Sequence, residues 1–154
     1  MAKPPRASAK ARRTAARLAA VQALYQQTLS GVDLVQVKSD FLEHYAGADL
    51  DGDQFVAPEE SLWLSILDGI DQYSWQIDEA IAAAVHAAQP GRKVENTELL
   101  LKTILRCGVF ELLHTATEKP IIINEYVDVA KAFYEGKEPG FVNAVLEQVA
   151  RQKA

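Results

Sequence analysis

The stretch from Thr97 to Thr115 carries Leu99, Leu100, Leu101, Ile104, Leu105, Cys107, Val109, Phe110, Leu112 and Leu113, which places apolar side chains on every side of a helical wheel. A helix with no continuous polar face is stable only when other elements cover it all round. That requirement puts this segment in the middle of a bundle and makes the rest of the chain its wrapping. Lys102, Arg106 and Glu111 interrupt it, and no stretch approaches the roughly 18–20 apolar residues of a membrane span.

The wrapping reads as helical too. Ala, Leu, Glu, Gln and Lys are frequent, and β-branched residues cluster only at Ile121-Ile122-Ile123, too short a run to found a sheet. The first helix spans about Ala9 to Leu29 and stops at Ser30-Gly31. The second starts at Asp33, which forms a capping box with Gln36, and ends near Gly47. After a polar loop from Ala48 to Ala57, Pro58 is placed to open the third, followed by Glu59 and Glu60 in its positive first turn. A fourth runs from about Trp75 to Ala88 and is closed by Gln89-Pro90-Gly91. The sixth is expected to start at Asn124 as cap and reach Tyr134, with Pro139 opening the seventh. The expected class is therefore all-α, with about seven helices. Lobe boundaries are expected near Asp49 to Pro58 or near Pro90 to Asn96. Residues 1–10 read as a flexible basic arm and residues 11–154 as one all-α domain.

Charge is the informative part of the composition. The net of −5 is unevenly placed: Lys3, Arg6, Lys10, Arg12, Arg13 and Arg17 fall within the first 32 residues, which hold no acid. The remainder keeps ten basic against 21 acidic residues, about −11. Such asymmetry raises a nucleic-acid function that the overall acidity would reject. Lys10, Arg13 and Arg17 share one helical face, and Val21 and Leu24 continue it. An apolar stripe belongs on the core and three like charges do not. The first half of the helix is therefore expected to project beyond the body and to offer its arginines to a polyanion. With five or six phosphate contacts the log–log salt slope would be roughly −3 to −4. An Arg-rich, acid-poor start also fits a mitochondrial transit peptide, whereas the apolar run of a secretory signal is missing, since Gln22 cuts Leu18-Ala19-Ala20-Val21. The lone Cys107 excludes an internal disulfide and a multi-cysteine zinc site, and points to the cytoplasm.

Other patterns are weak. Asp49 to Glu60 has acids at the first, third, fifth and twelfth positions of a calcium loop, yet Gln54 stands where the sharp turn requires glycine. Glu111 and His114 make half of a di-iron motif with no second half. His44, His86 and His114 are scattered, and no phosphate-cradling loop is complete. No catalytic residue, metal site or cofactor is therefore expected.

Three blocks in the C-terminal third, in order and at matching spacing, resemble the NusB family of transcription antitermination factors. They are Leu105-Arg106-Cys107-Gly108-Val109-Phe110-Glu111-Leu112, Ile123-Asn124-Glu125-Tyr126-Val127-Asp128-Val129-Ala130-Lys131, and Phe141-Val142-Asn143-Ala144-Val145-Leu146. Arg12-Arg13, Arg17 and Val21-Gln22-Ala23-Leu24-Tyr25 are similar to the family's start. The resemblance implies two packed helical subdomains and no enzymatic activity. It implies binding of boxA-type single-stranded RNA together with the ribosomal protein NusE, and work with RNA polymerase and other Nus factors on ribosomal RNA operons. A homodimer is left open. Arg13 and Arg17 match the family's RNA-contacting segment best, with Gln22 and Tyr25 adjoining; Lys10, Arg12 and Arg6 belong to the same basic run. Phe141 matches an aromatic near the RNA, with stacking and core packing both open. Glu95 and Leu101, on the side of the fourth and fifth helices, are the candidates for partner contact. Arg106 is expected to pair with Glu111 or Glu125, so that its loss unfolds the chain. The alternatives are an RNA-binding module like the N-terminal domain of ribosomal RNA cytosine methyltransferases, and a calcium-binding helical module. An acidic body should confine RNA to the arm and favour a basic partner, giving weak binding alone and stronger binding as a pair.

Overall fold

The computed structural model describes residues 8–48 and 56–153, with side chains described within 8–44 and 56–152. Seven α-helices occur among the described residues: α1 (Ala9–Ser30), α2 (Leu34–Ala48), α3 (Glu60–Gln72), α4 (Ser74–Ala88), α5 (Leu99–His114), α6 (Lys119–Phe133) and α7 (Glu138–Lys153). A 3-10 turn, Val94–Asn96, precedes α5. The all-α expectation holds.

Local chemistry sets most boundaries. Ser8 caps α1 by accepting from Ala11 N at 3.1 Å. Ala9 and Lys10 thus belong to a capped helix, and of the expected 1–10 arm only residues 1–7 lie outside the described residues. Gly31 ends α1 at φ 72°, a left-handed conformation that glycine adopts without steric cost, and its N–H returns to Gln27 O at 2.9 Å. Asp33 Oδ1 accepts from Gln36 N at 2.9 Å, as the capping pattern implies. The Gln36 amide, however, donates forward to Asp40 Oδ1 at 2.8 Å, so only half of the box is used. In α3 the cap is Glu59, whose carbonyl accepts from Trp63 N at 3.1 Å, and Pro58 lies just outside the helix.

The largest boundary error is at α6. It begins at Lys119, with Pro120 in its first turn, and Asn124 is an exposed mid-helix residue. Proline is pre-organised for a first turn. Glu118 O accepts from both Ile121 N and Ile122 N at 3.1 Å. Ile122 and Ile123 are then buried, so tertiary packing overrides their β-branched preference.

The chain separates into two compact units, Met1–Leu64 and Ser65–Ala154. The division falls inside α3, and not at either loop region that the composition singled out. A division inside a helix leaves no compositional mark at the boundary. In the first unit α1 packs on α2. The buried face of α1 is largely alanine (Ala16, Ala19, Ala20, Ala23), with Val21 and Leu24. Phe41 of α2 meets Trp63 at a ring distance of 5.9 Å.

In the second unit α5 packs on α4, α6 and α7, and α7 also packs on α4 and α6. The segment that is apolar all round is thus the hub of this unit. A methyl on Gly108 would sit 3.0 Å from the Leu146 side chain, which shows how close α5 and α7 lie. Two polar groups inside this core find partners close by. Tyr126 OH donates to the fully buried Glu111 at 2.5 Å, and the Thr103 hydroxyl donates to Leu99 O at 2.8 Å. Burial pushes the Cys107 thiol well above its ordinary range, with the Glu111 charge adding to the effect and Arg106 opposing it. Cys107 is therefore a neutral, inert core group.

Arg106 does not pair with Glu111 or Glu125. It makes a two-pronged ion pair with Asp78 of α4, Nε to Oδ1 at 2.8 Å and Nη2 to Oδ2 at 3.3 Å. The partners' side chains are 28% and 49% exposed, so water screens the pair and α4 and α5 are held mainly by their apolar contacts. Arg106→Ala is accordingly expected to change stability by less than about 1 kcal/mol, against the unfolding that a buried charge would imply. Thermal denaturation of the single variant measures this directly.

Candidate RNA interface

The first turns of α1 carry Lys10, Arg12 and Arg13, all exposed, with no acid among them. The partial positive charge of a helix start adds to these cations. Arg12 is also anchored: its Nε donates to Ala57 O at 3.3 Å and its carbonyl accepts from Glu59 N at 3.0 Å. Two hydrogen bonds thus tie the cationic end of α1 to the residues that lead into α3.

The expected stripe of Lys10, Arg13 and Arg17 breaks at its last member. Arg17 is 2% exposed, among the most enclosed side chains of the protein, and it is engaged in interactions there. The rule that like charges stay off the core fails because one arginine, once partnered, can cover apolar neighbours with its long stem. The exposed cationic part of the helix is therefore shorter than its charge pattern suggests, and it is tied down at Arg12 instead of projecting. Val21 and Leu24 continue the stripe into the interior as the spacing implied. Arg6 lies outside the described residues.

Further along α1, Gln22 is exposed and Tyr25 half-buried. Gln22 and Gln26 face Asp40, Phe41 and His44 of α2 across a groove of about 450 Å³. The amides can exchange hydrogen bonds with base edges there. The sequence does not single out Gln26, and it presents His44 only as one of three scattered histidines, because neither belongs to a charge or aromatic pattern.

A second concavity, of about 660 Å³, lies in the Ser65–Ala154 unit, where α7 begins and α5 is entered. It contains two residues from the resemblance. Phe141 is 5% exposed, and the Arg92 guanidinium lies over its ring, 3.9 Å from Cζ to the centroid. Its face is therefore already occupied. Of the two partner candidates, Leu101 is 4% exposed and lines the wall of this concavity, whereas Glu95, on the 3-10 turn, is exposed. Helical register accounts for the burial of Leu101, which shares one buried face of α5 with Leu105 and Leu112.

Of the other sequence patterns, Asp49 to Phe55 of the calcium-like loop lies outside the described residues. Glu111 and His114 do not form a site. The acid is held by Tyr126, while His114 stacks on Tyr73 at 3.9 Å and bonds through Nε2 to Gln76 at 2.8 Å. Among the described residues no helix is long and apolar enough to cross a membrane.

Comparison with known proteins agrees with this architecture. The family model described as "NusB family" matches residues 14–151. The transcription antitermination protein NusB of Rhodopseudomonas palustris is 39% identical over 142 residues, covering 92% of this chain and 82% of the relative. The protein of the same name from Caulobacter vibrioides is 38% identical over 140 residues, covering 90% and 92%. A solved structure of T. maritima NusB superposes with a TM-score of 0.73 over 98% of this chain and 94% of the other, at 21% identity, a likeness of fold. With the family model and both relatives extending over nearly all of the sequence, the chain belongs to the NusB family.

Proposed function

We propose that this chain is a transcription antitermination factor that binds boxA-type single-stranded RNA together with the ribosomal protein NusE. In this reading the pair joins RNA polymerase and other Nus factors during ribosomal RNA transcription. The observation that carries the reading is the exposed, acid-free start of α1, with Lys10, Arg12 and Arg13 on a chain of net charge −5. The relatives' shared name, transcription antitermination protein NusB, supports the same activity. Electrostatic capture by these cations positions the RNA, and polar groups such as Gln22 read base edges. The acidic remainder repels RNA elsewhere and attracts a basic partner, so binding is weak alone and tighter as a pair.

Each phosphate contact to a single strand contributes about 0.7 to the log–log salt slope. Lys10→Ala combined with Arg13→Ala should therefore weaken binding of a boxA-type RNA and flatten the slope by roughly 1.4, without lowering the melting temperature. Fluorescence anisotropy across a salt series, with and without NusE, measures both. An unchanged affinity and slope would remove the basis for RNA capture by α1.

A further inference from the structure

We infer that Arg92, and not Phe141, is the group through which the second concavity meets RNA: its guanidinium plane is a platform on which one nucleobase stacks. The inference rests on the RNA-binding reading above and adds a contact residue that neither the charge pattern nor the resemblance indicated.

Three observations converge on Arg92. Phe141 supports one face of its guanidinium at 3.9 Å. Gln89 fixes its edge, with Oε1 accepting from Nη1 at 3.1 Å. Its backbone N–H bonds to Gln89 O at 3.0 Å, which closes the turn at Pro90-Gly91 and holds the residue at the mouth of the cavity. A guanidinium has two faces and five N–H donors. Here one face and one side-chain donor are used among the described residues, so the second face and the other donors remain for a ligand. An arginine clamped in this way has already lost its rotamer freedom, which lowers the cost of using it. Phe141 is then a positioning residue. At 5% exposure it cannot stack on a base itself unless Arg92 leaves.

The rest of the lining indicates which part of a nucleotide enters. Glu98 and Glu138 border the same space, and Glu138 Oε2 is buried without a hydrogen-bond donor among the described residues. Two carboxylates repel a phosphate, whereas the N–H groups of a nucleobase can satisfy them. Lys137 is exposed at the rim, where a phosphate would stay in water. A volume of about 660 Å³ is ample for one base. Stacking on guanidinium planes is an established mode of single-strand recognition.

The test uses the full chain, a short boxA-type single-stranded RNA and anisotropy across a salt series. Arg92→Lys keeps the charge and removes the plane, so it separates stacking from simple attraction. Affinity should fall by about tenfold, the scale of one base–side-chain stack, while the salt slope stays at the wild-type value. Wild-type affinity in Arg92→Lys, with binding still weakened in the Lys10→Ala plus Arg13→Ala variant, overturns this proposal and leaves the RNA-binding reading standing. No RNA binding by the wild type, with or without NusE, brings down the reading and this proposal with it. A second measurement needs no variant: saturating RNA should shift the Arg92 Nε–H resonance in the wild-type spectrum, and an unmoved resonance overturns the proposal.

Discussion

Gly69→Ala is expected to destabilise the protein by about 2–3 kcal/mol and to lower its melting temperature by roughly 5–10 °C. Alanine is the better helix former, by up to about 1 kcal/mol, so propensity alone predicts the opposite sign. Space decides the outcome. A methyl at Gly69 would overlap the Phe110 ring of α5, which is rigid and only 4% exposed. The ring cannot simply swing away, because His114 lies against it at a centroid distance of 5.7 Å. Overpacking of this kind forces a backbone shift or an off-rotamer side chain. Combining the change with Phe110→Leu should recover part of the loss, and the double-mutant cycle would isolate the clash. A Gly69→Ala variant at least as stable as the wild type would show that α3 and α5 yield here.

Arg17→Ala is the second large effect, and its value lies in the contrast with Arg13→Ala. Arg17 is 2% exposed and engaged inside the protein, so its removal leaves a void and strands its partner group. Losing one member of a buried, charged arrangement costs about 3–5 kcal/mol, which should lower the melting temperature by roughly 10 °C or more. Arg13, exposed four residues earlier, should leave the melting temperature unchanged and weaken RNA binding instead. Thermal scans and RNA anisotropy on the two single variants separate the roles. Equal stability of the two would place Arg17 on the surface with Arg13. A combined Arg13 and Arg17 variant, which the charge stripe suggests, would confuse an RNA contact with a folding defect.

What could be read from the sequence follows from how far apart the causes lie. The α5 hub was legible because its whole circumference is apolar, a property of one segment. The caps at Asp33 and Gly31 were legible because a residue and the backbone it serves lie within four positions. The start of α6 was missed because Asn124 is the more familiar cap, while Pro120 works from inside the first turn. Arg106 was assigned to acids near it in sequence, whereas the fold supplies Asp78 from 28 residues away. The Arg92 platform was hidden for the same reason. Pro90-Gly91 read as punctuation, and nothing in the chain shows that the next residue will lie on Phe141.

The two hydrogen bonds that tie Arg12 to Ala57 and Glu59 have a consequence for the thermodynamics of association. A disordered basic tail must be frozen when it binds, and each ordered residue costs on the order of 1–2 kcal/mol of conformational entropy. Here the helix is capped at Ser8 and fastened at Arg12 before any RNA arrives. In the proposed RNA binding, the cations from Lys10 to Arg13 would therefore act from a helix backbone whose spacing is set in advance. Their share of binding should show a small heat-capacity change and little ordering entropy, with counterion release as its main entropic component.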